Sequence, residues 1–530
     1  MESYQARFIF GGLLLALTAC GGGGGGSDDG GNGGSGSGWA PGVFLDSETF
    51  AAHCVAPRSG VSPETGTPYP DVQGTILDEN NFLRSWSDET YLWYDEITDQ
   101  DPGGFNDPLA YFDELRTFAT TPSGADKDKF HFTYPSDEWF QLSQSGVSAG
   151  YGAAWIILSQ DIPRELVVAY TEPNSPATAP NANLARGARI LGVDGVDLQH
   201  TTSSAEIDIL NAGLFPAGPG EQHSFVVEDL HSGGNTREIT MTSANVTSTP
   251  VQSVKTVDSP MGAVGYFLFN DHIATAEAGL IEAVEQLAAD GVEELVLDIR
   301  YNGGGFLAIA SQLAYMIAGD AQTAGRTFEA SQFNDKHPAT NPVTGQPLQP
   351  MPFFNTSRNF SVPSGQPLPA LNLSRVFVLS GPNTCSASEA IMNALRGVDV
   401  EVIHIGSTTC GKPYGFYPTD NCGTTYFSIQ FRGVNDKDYG DYTDGFSPEN
   451  IAGGAGDLLP GCAVADDFEH ALGDPLEQRL QSALRYLEDQ SCPTPSALTD
   501  TGHGKVAAPL SATDGIMPRS PWRENRILQR

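Results

Sequence analysis

The chain has 530 residues, and its 27 Lys and Arg against 65 Asp and Glu give a formal net charge of −38. A surface this acidic repels nucleic acid and anionic lipid, which argues against both as charge-recognised partners. Only 17% of the residues are charged and 39% are hydrophobic, a balance that predicts folded domains and not a disordered polyanion. At about 150 residues per domain, the length suggests three or four domains.

The N-terminus has the layout of an export signal. Arg7 precedes an apolar run from Phe8 to Leu17, which is shorter than the about 20 residues that a membrane-spanning helix needs. The run ends in Leu17-Thr18-Ala19-Cys20, which resembles a bacterial lipobox and implies cleavage before Cys20 and lipidation of its thiol. A plain signal peptide with an incidental cysteine is the alternative.

A tract of Gly, Ser, Asp and Asn follows the lipobox. This composition cannot bury a core, so it favours a flexible tether. No aspartate follows Cys20 directly, which favours the outer membrane over the inner one. We therefore expect a signal peptide at residues 1–19, a tether at 20–48, and a lipid-anchored protein exported to the bacterial periplasm.

The cysteines beyond Cys20 suggest disulfide bonds. The six are Cys54, Cys385, Cys410, Cys422, Cys462 and Cys492. An even number in an exported chain is typical of disulfides, and six cysteines allow 15 complete pairings. Cys410 and Cys422 are close in sequence and are expected to flank a hairpin, which makes them the best single candidate pair. The spacings match no zinc-binding pattern, so no metal is expected.

Aromatic and acidic residues are frequent from residue 49 to residue 144. Apolar side chains recur at helical spacing in Asn80–Tyr94 and again in Pro108–Phe118. We expect a small N-terminal helical domain in which these aromatic residues form the core.

Residues 145–251 alternate short β-like runs with turns. The runs are Ala153–Leu158, Glu165–Tyr170, Ala188–Val193, Ser224–Glu228 and Thr236–Thr242. The string Leu184–Asp197, with the hairpin turn Asp194-Gly195, resembles the PDZ domains of bacterial proteases. The resemblance implies a domain that adds an extended peptide to a sheet edge and holds its terminal carboxylate with backbone N–H groups. The candidate carboxylate-binding loop is Gly150-Tyr151-Gly152-Ala153, and an ordinary β-rich turn is the alternative.

The order strand, helix, strand follows from residue 252 onward. Val264–Phe269 and Glu294–Arg300 have the composition of strands, with a helix-like run, Thr275–Ala289, between them. This unit builds a parallel sheet with helices on its faces, so it predicts an α/β core. The second strand leads into Tyr301-Asn302-Gly303-Gly304-Gly305 and the helix-like run Phe306–Ala318. The glycines leave backbone N–H groups open to an anion.

A further apolar strand, Arg375–Leu379, leads into the turn Ser380–Glu389 and a helix-like run, Ala390–Leu395. A serine at such a strand-to-helix turn is exposed to substrate, and its neighbouring amides lie near a helix N-terminus, where negative charge is stabilised. The turn lacks the Gly-x-Ser-x-Gly elbow of α/β-hydrolases, which disfavours that fold.

Lys412 is the only formally charged residue from Val402 to Thr419. Burial in apolar surroundings lowers a lysine pKa, and reaching about 7 from about 10.4 corresponds to roughly 4.6 kcal/mol. A neutral lysine can accept the proton of a serine hydroxyl as that hydroxyl attacks a peptide carbonyl. A surface lysine extended over a hairpin is the alternative.

Three motifs together resemble the C-terminal-processing (tail-specific) serine peptidases. They are the strand 295–300 with its Asn302–Gly305 loop, the turn Cys385-Ser386-Ala387-Ser388-Glu389, and Gly406 followed six residues later by Lys412. The resemblance implies a multidomain α/β (α+β) fold. Its parts are an N-terminal helical domain at 49–144, a β-rich PDZ domain at 145–251, and a ClpP/crotonase-like α/β peptidase core at 252–492.

The resemblance also implies roles for single residues. It maps the nucleophile to Ser386 and the general base to Lys412, with an oxyanion hole formed by the backbone amides of Gly303, Gly304 and Ala387. Ser388 is expected to cap the following helix. No cofactor is implied.

The chain departs from the family pattern at two places. Many members carry a glutamine four residues after the lysine, where this chain has Phe416, and Tyr414 or another polar group is the candidate replacement. Cys385 and Cys410 adjoin the two catalytic segments, so a disulfide from either would hold the local geometry or make activity depend on redox state. Cys385 as nucleophile remains an alternative.

Two histidines, His272 and His404, are alternative bases. Both are expected to be structural. The acidic stretch 435–445 offers no frame for a calcium loop and is expected to be solvated.

The sequence thus predicts a serine endopeptidase with a Ser-Lys dyad that cleaves extended or unfolded polypeptides captured through the PDZ-like domain. Its expected partners are polypeptide substrates and, through Cys20, the membrane. A non-catalytic periplasmic peptide-binding lipoprotein with the same fold is the alternative. A helix is expected at Asp474–Asp489, and the Pro/Ser/Thr/Gly-rich tail at 493–530 is expected to be disordered.

Overall fold

The computed structural model describes residues 39–451, 456–493 and the backbone of 526–527. The expected signal peptide, the lipid site at Cys20, most of the tether and most of the tail lie outside the described residues. Over the described ranges, no helix combines the length and apolar character needed to cross a bilayer. The fold is multidomain and mixed α/β, which confirms the predicted class.

The N-terminal region combines short helices with short strands. Its elements are β1 (His53–Cys54), β2 (Val72–Gln73), α1 (Ile76–Thr90), α2 (Pro108–Glu114), β3 (Phe132–Pro135) and α3 (Ser136–Ser145). α1 begins at a capping box, in which the Thr75 hydroxyl accepts from the Asp78 N–H and Asp78 accepts from the Thr75 N–H. Phe82 and Trp86 of α1 pack with Phe112 of α2. The predicted aromatic core of a helical region is therefore present.

The second region, residues 145–251, contains all five predicted strands. Its elements are β4 (Val147–Gly150), β5 (Ala153–Ser159), β6 (Glu165–Thr171), β7 (Arg189–Val193), β8 (Val196–Asp197), α4 (Ser204–Leu214), β9 (Gln222–Glu228), β10 (Thr236–Thr242) and β11 (Ala244–Thr247). The main sheet has the order β10-β9-β7-β6-β5, and β4 pairs with β11. In β10 the buried Ile239 and Met241 alternate with exposed residues, as period-2 patterning requires. One apolar cluster holds this region together.

The third region is built on a sheet with the order β12-β13-β14-β18-β19-β26. Its first elements are β12 (Val251–Ser259), β13 (Gly262–Phe269), α5 (Ala276–Ala289), β14 (Glu294–Asp298), β15 (Gly305–Phe306), α6 (Leu307–Ala318), α7 (Asp320–Thr323), β16 (Thr327–Phe333), β17 (Met351–Pro352), β18 (Arg375–Ser380) and α8 (Ala387–Gly397). The remaining elements are β19 (Glu401–Gly406), β20 (Tyr414–Gly415), β21 (Thr419–Asn421), β22 (Thr424–Phe427), β23 (Phe431–Val434), β24 (Phe446–Pro448), β25 (Asp457–Leu459), β26 (Gly461–Ala463), α9 (Gln478–Asp489) and β27 (Arg526–Ile527).

Helices cover both faces of this sheet. Leu295 and Leu297 of β14 lie in the apolar cluster that includes α5, α6 and α8, whereas Val296 lies in the cluster that includes α9. All neighbouring strands from β13 to β26 run parallel, and only β12 pairs antiparallel. Burial on both faces explains why these strands are continuous apolar runs in the sequence. The parallel pairing of β14 with β18 places the carboxyl ends of these two strands side by side.

The predicted disulfide between Cys410 and Cys422 is wrong. The bonds are Cys54–Cys422, Cys385–Cys410 and Cys462–Cys492. Cys422 does lie at the turn of the β21–β22 hairpin, but β22 also pairs with β3, and the turn therefore meets Cys54 of the N-terminal region. Cys410 instead lies against the turn that precedes α8. Sequence proximity failed as a guide because tertiary contacts decided both partners.

The tail departs from its expected disorder at two residues. Arg526 and Ile527 form β27, which pairs in parallel with β15. Backbone pairing supplies the order that the side-chain composition of the tail does not predict. The rest of the tail from residue 494 lies outside the described residues.

Candidate active site

Ser386 occupies the turn between β18 and α8. Its backbone has φ 59° and ψ −113°, a conformation that side-chain-bearing residues rarely adopt and that the surrounding structure must hold in place. Ser386 is fully buried in the structure. α8 begins at Ala387, three residues before the predicted start, so the positive end of the helix dipole adjoins Ser386.

Ser388 does not cap α8, contrary to the prediction. It lies inside the helix, and its hydroxyl donates to the Asn302 carbonyl (3.0 Å). The Cys385 N–H donates to the same carbonyl (3.1 Å). These two bonds attach the turn of Ser386 to the glycine loop that follows β14.

Glu389 joins the turn of Ser386 to the loop of Lys412. Its Oε2 accepts from the Ser386 N–H (2.9 Å) and from the Lys412 N–H (2.8 Å). Its Oε1 accepts from the Thr409 hydroxyl (2.5 Å) and the Gly411 N–H (2.8 Å). Burial raises the pKa of this carboxyl, and these four donors oppose the effect. The sequence reasoning gave Glu389 no role, although its position three residues after the serine is typical of a helix-start carboxylate.

The side chain of Lys412 is fully buried, so the alternative of a surface lysine is wrong. Its Nζ lies 4.5 Å from the ring centre of Phe130 and 4.9 Å from that of Phe416. Phe130 comes from the N-terminal region, and Phe416 stands where the family resemblance led us to expect glutamine. The lysine amine therefore lies close to two aromatic rings.

The residue before the lysine must be glycine. Gly411 has φ +81°, and a Cβ on it would lie 2.3 Å from the Thr443 carbonyl oxygen. On the other side of the loop, Lys129 Nζ donates to the Cys410 carbonyl (3.0 Å). The Cys385–Cys410 disulfide links this loop directly to the residue before Ser386. Cys385 is thus engaged in a disulfide and is not a thiolate nucleophile here.

Asn302 organises the glycine loop. Its Oδ1 accepts from the Gly304 N–H (2.9 Å) and from His272 Nδ1 (2.9 Å), and its Nδ2 donates to the Phe269 carbonyl (3.0 Å). The Gly304 N–H is therefore occupied inside the loop, in conflict with its expected role in an oxyanion hole. Of the amides that the sequence suggested, those of Gly303 and Ala387 are left for that role.

The two candidate histidine bases are buried and have other partners. Burial lowers the pKa of His272 and of His404 to about 3, so both are neutral near pH 7. His272 Nδ1 bonds to Asn302, and His404 Nε2 lies 2.5 Å from Ser380 Oγ. Their contacts fit the structural role that we expected for them.

A cavity of about 660 Å³ lies between the second region and the third region. The candidate carboxylate-binding loop, Gly150-Tyr151-Gly152-Ala153, lines it together with residues of α4. Gly303 and Asn383 line the same cavity from the other side. Gly152 has φ +73°, and a Cβ on it would lie 2.3 Å from Ser175 Cβ, so this loop requires glycine. One cavity thus reaches from the predicted peptide-binding loop to the glycine loop.

Buried charges join the same two regions. Arg186, from the second region, donates to the Tyr301 hydroxyl (2.6 Å) and to Asp466 (2.7 Å). Arg300 is fully buried and bonds to Asp466 and Glu477 (2.7 Å each). Burial alone would raise the pKa of Asp466, but the positive charges around it hold that pKa well below its usual value. This network adjoins Asn302 and fixes the second region beside the glycine loop.

One group of residues has the donor types of a metal site. Cys385, Glu389 and Cys410 bring ligand atoms within 4.8 Å of one another. Both sulfur atoms belong to the Cys385–Cys410 disulfide, which leaves no thiolate to bind a metal ion. These residues do not fit a metal centre.

Comparisons with known proteins match the parts of the chain that form this site. Residues 263–425 match the family model described as "Peptidase family S41", and residues 78–134 match "Peptidase S41 N-terminal domain". The first match includes the glycine loop, the turn of Ser386 and the loop of Lys412. The second region lies outside both matches.

Individual relatives agree with these family matches. The chain is 31% identical over 164 residues to the carboxyl-terminal-processing peptidase 2, chloroplastic, of Arabidopsis thaliana, which covers 30% of this chain and 29% of that protein. It is 27% identical over 246 residues to a carboxyl-terminal-processing protease of a Picosynechococcus species, covering 45% and 49% of the two chains. The chain therefore spans about half or less of the length of these relatives.

A solved structure shares the fold. The crystal structure of an S41 protease from Bacteroides fragilis superposes with a TM-score of 0.58 at 22% identity, covering 80% of this chain and 98% of that chain. At this identity the likeness supports the architecture of the described regions and not their activity.

Proposed function

We propose that this chain, which belongs to peptidase family S41, is a serine endopeptidase that cleaves extended or unfolded polypeptides with Ser386 and Lys412. One observation carries the proposal. A single oxygen of Glu389 accepts the backbone N–H groups of both residues, at 2.9 and 2.8 Å, at the N-terminus of α8. The fold thereby holds a strained serine and a buried lysine on one support.

In the proposed reaction, Ser386 Oγ attacks the carbonyl carbon of a peptide bond while Lys412 Nζ takes the hydroxyl proton. The amides of Gly303 and Ala387 donate to the resulting oxyanion, and the helix dipole of α8 stabilises its charge. Lys412 returns the proton to the amine that leaves, which breaks the peptide bond and leaves an acyl-serine. Water, deprotonated by the same lysine, then releases the acyl group and regenerates the serine.

This mechanism needs Lys412 as a neutral amine in the resting enzyme. Its side chain has no exposed surface, and removing an ammonium group from water disfavours the charged form. The rings of Phe130 and Phe416 act in the opposite direction, because aromatic faces attract a cation. The proposed reaction requires the neutral form of the amine, which desolvation favours.

We further propose that the second region captures substrate as a PDZ domain does. Its support is the cavity of about 660 Å³ that both the Gly150–Ala153 loop and Gly303 line. A peptide strand added along β5 would hold its terminal carboxylate against the loop glycines. The remainder of the bound peptide would then reach the glycine loop without leaving the cavity.

The test of catalysis compares the wild-type chain with Ser386→Ala and Lys412→Ala on an unfolded polypeptide such as β-casein. We expect both variants to lose at least about 10³-fold in kcat/KM, because each removes one half of the proton transfer. Lys437→Ala, at an exposed lysine, is the matched control and keeps full activity. Equal cleavage by all four proteins would refute the peptidase assignment and leave the non-catalytic peptide-binding lipoprotein.

Substrate capture is tested with a substitution in the second region that makes the cavity narrower. Ala212 on α4 lines the cavity and is exposed, so Ala212→Trp fills part of it without disturbing a core. We expect KM to rise for a peptide with an unmodified C-terminus while kcat changes little. Ala205→Trp, on the same helix but away from the cavity, is the control. An unchanged KM for Ala212→Trp would refute substrate capture at this loop.

We also propose that the chain is exported and anchored by a lipid on Cys20, on the support of the Leu17–Cys20 sequence. Cell fractionation tests this proposal. We expect the wild-type chain in the outer-membrane fraction and Cys20→Ser in the soluble periplasmic fraction, because one thioether-linked lipid group attaches at that thiol. The same distribution for both would refute the anchor.

A further inference from the structure

The last strand of the chain lies beside the glycine loop. Arg526 pairs in parallel with Gly305, and Ile527 pairs with Phe306. These partners directly follow Gly304. Residues 526–527 therefore lie beside the glycine loop of the proposed active site as an extended strand.

β27 pairs with one edge of β15, and His272 occupies the other edge. On the opposite edge, the Phe306 N–H donates to the His272 carbonyl (2.9 Å) and the His272 N–H donates to the Gly304 carbonyl (3.1 Å). The contact is tight, since a Cβ on Gly305 would lie 2.5 Å from the His272 carbonyl oxygen. An incoming peptide can pair with β15 only along the edge that β27 holds.

β27 also contacts the segment that follows Lys412. β20 begins two residues after Lys412 and contacts β27. β20 itself pairs with β23, through Tyr414 and Arg432. Residues 526–527 thus contact both the strand that follows the glycine loop and the strand that follows the proposed base.

The charge of the tail suits this position. Its last twelve residues contain four arginines and one acid; the arginines are Arg519, Arg523, Arg526 and Arg530. The whole chain has a formal net charge of −38, so the tail and the body attract each other. A covalent connection also gives an internal ligand an effective concentration on the order of millimolar. Both effects favour the tail over a dilute external peptide.

We propose that residues 526–527 are an internal peptide ligand of the peptidase cleft, which an external polypeptide must displace before it is bound. The identification of this cleft as the substrate site rests on the proposed function. The ligand class is an extended, basic peptide that pairs with Gly305–Phe306 through its backbone.

A binding experiment on the full chain with Ser386→Ala tests the proposal without needing catalysis. The probe is a fluorescein-labelled peptide with the sequence of residues 519–530, at physiological salt. Ile527→Pro in the protein removes a backbone N–H and weakens the internal strand. We expect the labelled peptide to bind this double variant at least about tenfold more tightly than Ser386→Ala alone, because the internal competitor is weakened.

Two controls separate backbone pairing from charge. Ala507→Pro in the protein places a proline outside the paired residues and is expected to leave peptide binding unchanged. A probe that itself carries the Ile527→Pro change keeps its charge and is expected to bind at least tenfold more weakly. Hydrogen exchange measured by mass spectrometry should find the amide of Ile527 protected in Ser386→Ala and unprotected once an excess of the labelled peptide displaces the strand.

The proposal is overturned if Ile527→Pro leaves peptide affinity unchanged and the C-terminal amides exchange as fast as an unfolded peptide. It is also overturned if the two probes bind equally, since charge alone then accounts for binding. Because every binding measurement uses Ser386→Ala, these outcomes are independent of whether the wild-type chain cleaves β-casein. If the wild-type chain does not cleave β-casein but the labelled peptide binds more tightly after Ile527→Pro, the proposed peptidase activity is refuted and the internal-ligand proposal stands.

Discussion

Replacing Glu389 with glutamine tests whether this carboxylate holds the two halves of the proposed active site together. The change keeps the shape of the side chain and replaces one acceptor oxygen by an NH2 group. In one orientation the NH2 faces the N–H groups of Ser386 and Lys412, and in the other it faces the Gly411 N–H and the Thr409 hydroxyl. A hydroxyl can turn to accept, but a backbone N–H cannot.

The cheaper orientation therefore leaves one buried N–H, that of Gly411, without its acceptor. Such a loss costs about 1–3 kcal/mol, and the bonds that remain lose their charge-assisted strength. Part of this cost is offset, because the neutral amide of glutamine avoids the desolvation of a buried carboxylate. That desolvation is what raises the pKa of Glu389. We expect Glu389→Gln to lower the free energy of unfolding by about 2 kcal/mol, equivalent to about 4–8 °C in Tm.

We expect Glu389→Gln to lower kcat strongly even at temperatures where the variant is fully folded. Displacing either Ser386 or Lys412 by about 1 Å lowers the rate by about 10²-fold, because proton transfer and attack both depend on their geometry. The assay is β-casein cleavage below the melting transition, with kcat and KM measured separately. We expect kcat to fall about 100-fold with KM nearly unchanged.

The control is Glu285→Gln, at an exposed glutamate on α5. It makes the same chemical change without a buried contact, so both Tm and kcat should stay at the wild-type values. If Glu389→Gln also keeps them, the shared-acceptor argument is wrong, and the turn of Ser386 and the loop of Lys412 are held by other contacts.

Two further predictions concern the disulfide and the buried charges. Replacing Cys385 and Cys410 by alanine should lower the free energy of unfolding by about 3 kcal/mol, for a bond across 25 residues, and should also lower kcat. Replacing Cys462 and Cys492, 30 residues apart, should lower the free energy of unfolding by about the same amount and leave kcat unchanged. Equal kcat values in the two double variants would refute a role for the Cys385–Cys410 disulfide in holding the site. Asp466→Asn should cost about 2–4 kcal/mol at pH 7. Because the folded pKa of Asp466 lies below its usual value, its stabilisation is present above about pH 4 and is lost as the pH falls through the folded pKa. The difference between wild type and Asp466→Asn in urea unfolding should therefore shrink below about pH 4, and a constant difference would contradict the assignment.

Local sequence patterns predicted most of the regular elements. The parallel strands of the core were recognisable because both of their faces are buried, and the five strands of the second region because they alternate with turns. The turn of Ser386 and the loop of Lys412 were found through short motifs whose spacing lies within one segment. Gly411 belongs to this group too, since a positive φ leaves glycine as the residue that fits.

Contacts between distant segments were beyond the reach of the sequence. The local run around Lys412 contains no acid, yet the fold brings the carboxylate of Glu389 to its backbone, 23 positions away. Cys422 met Cys54 across a sequence separation of 368, and Asn302 took the Gly304 N–H that the motif assigned to the oxyanion hole.

The chain by itself determined which residues could perform chemistry, because reactivity depends on residue type and on neighbours a few positions away. The tertiary structure decided which of them meet. Hydrogen bonds and disulfides form between atoms a few ångströms apart, and that proximity arises from the packing of the sheet, the helices and the loops. The bond between Cys54 and Cys422 is the furthest case, since 368 positions of sequence separate two residues that lie side by side.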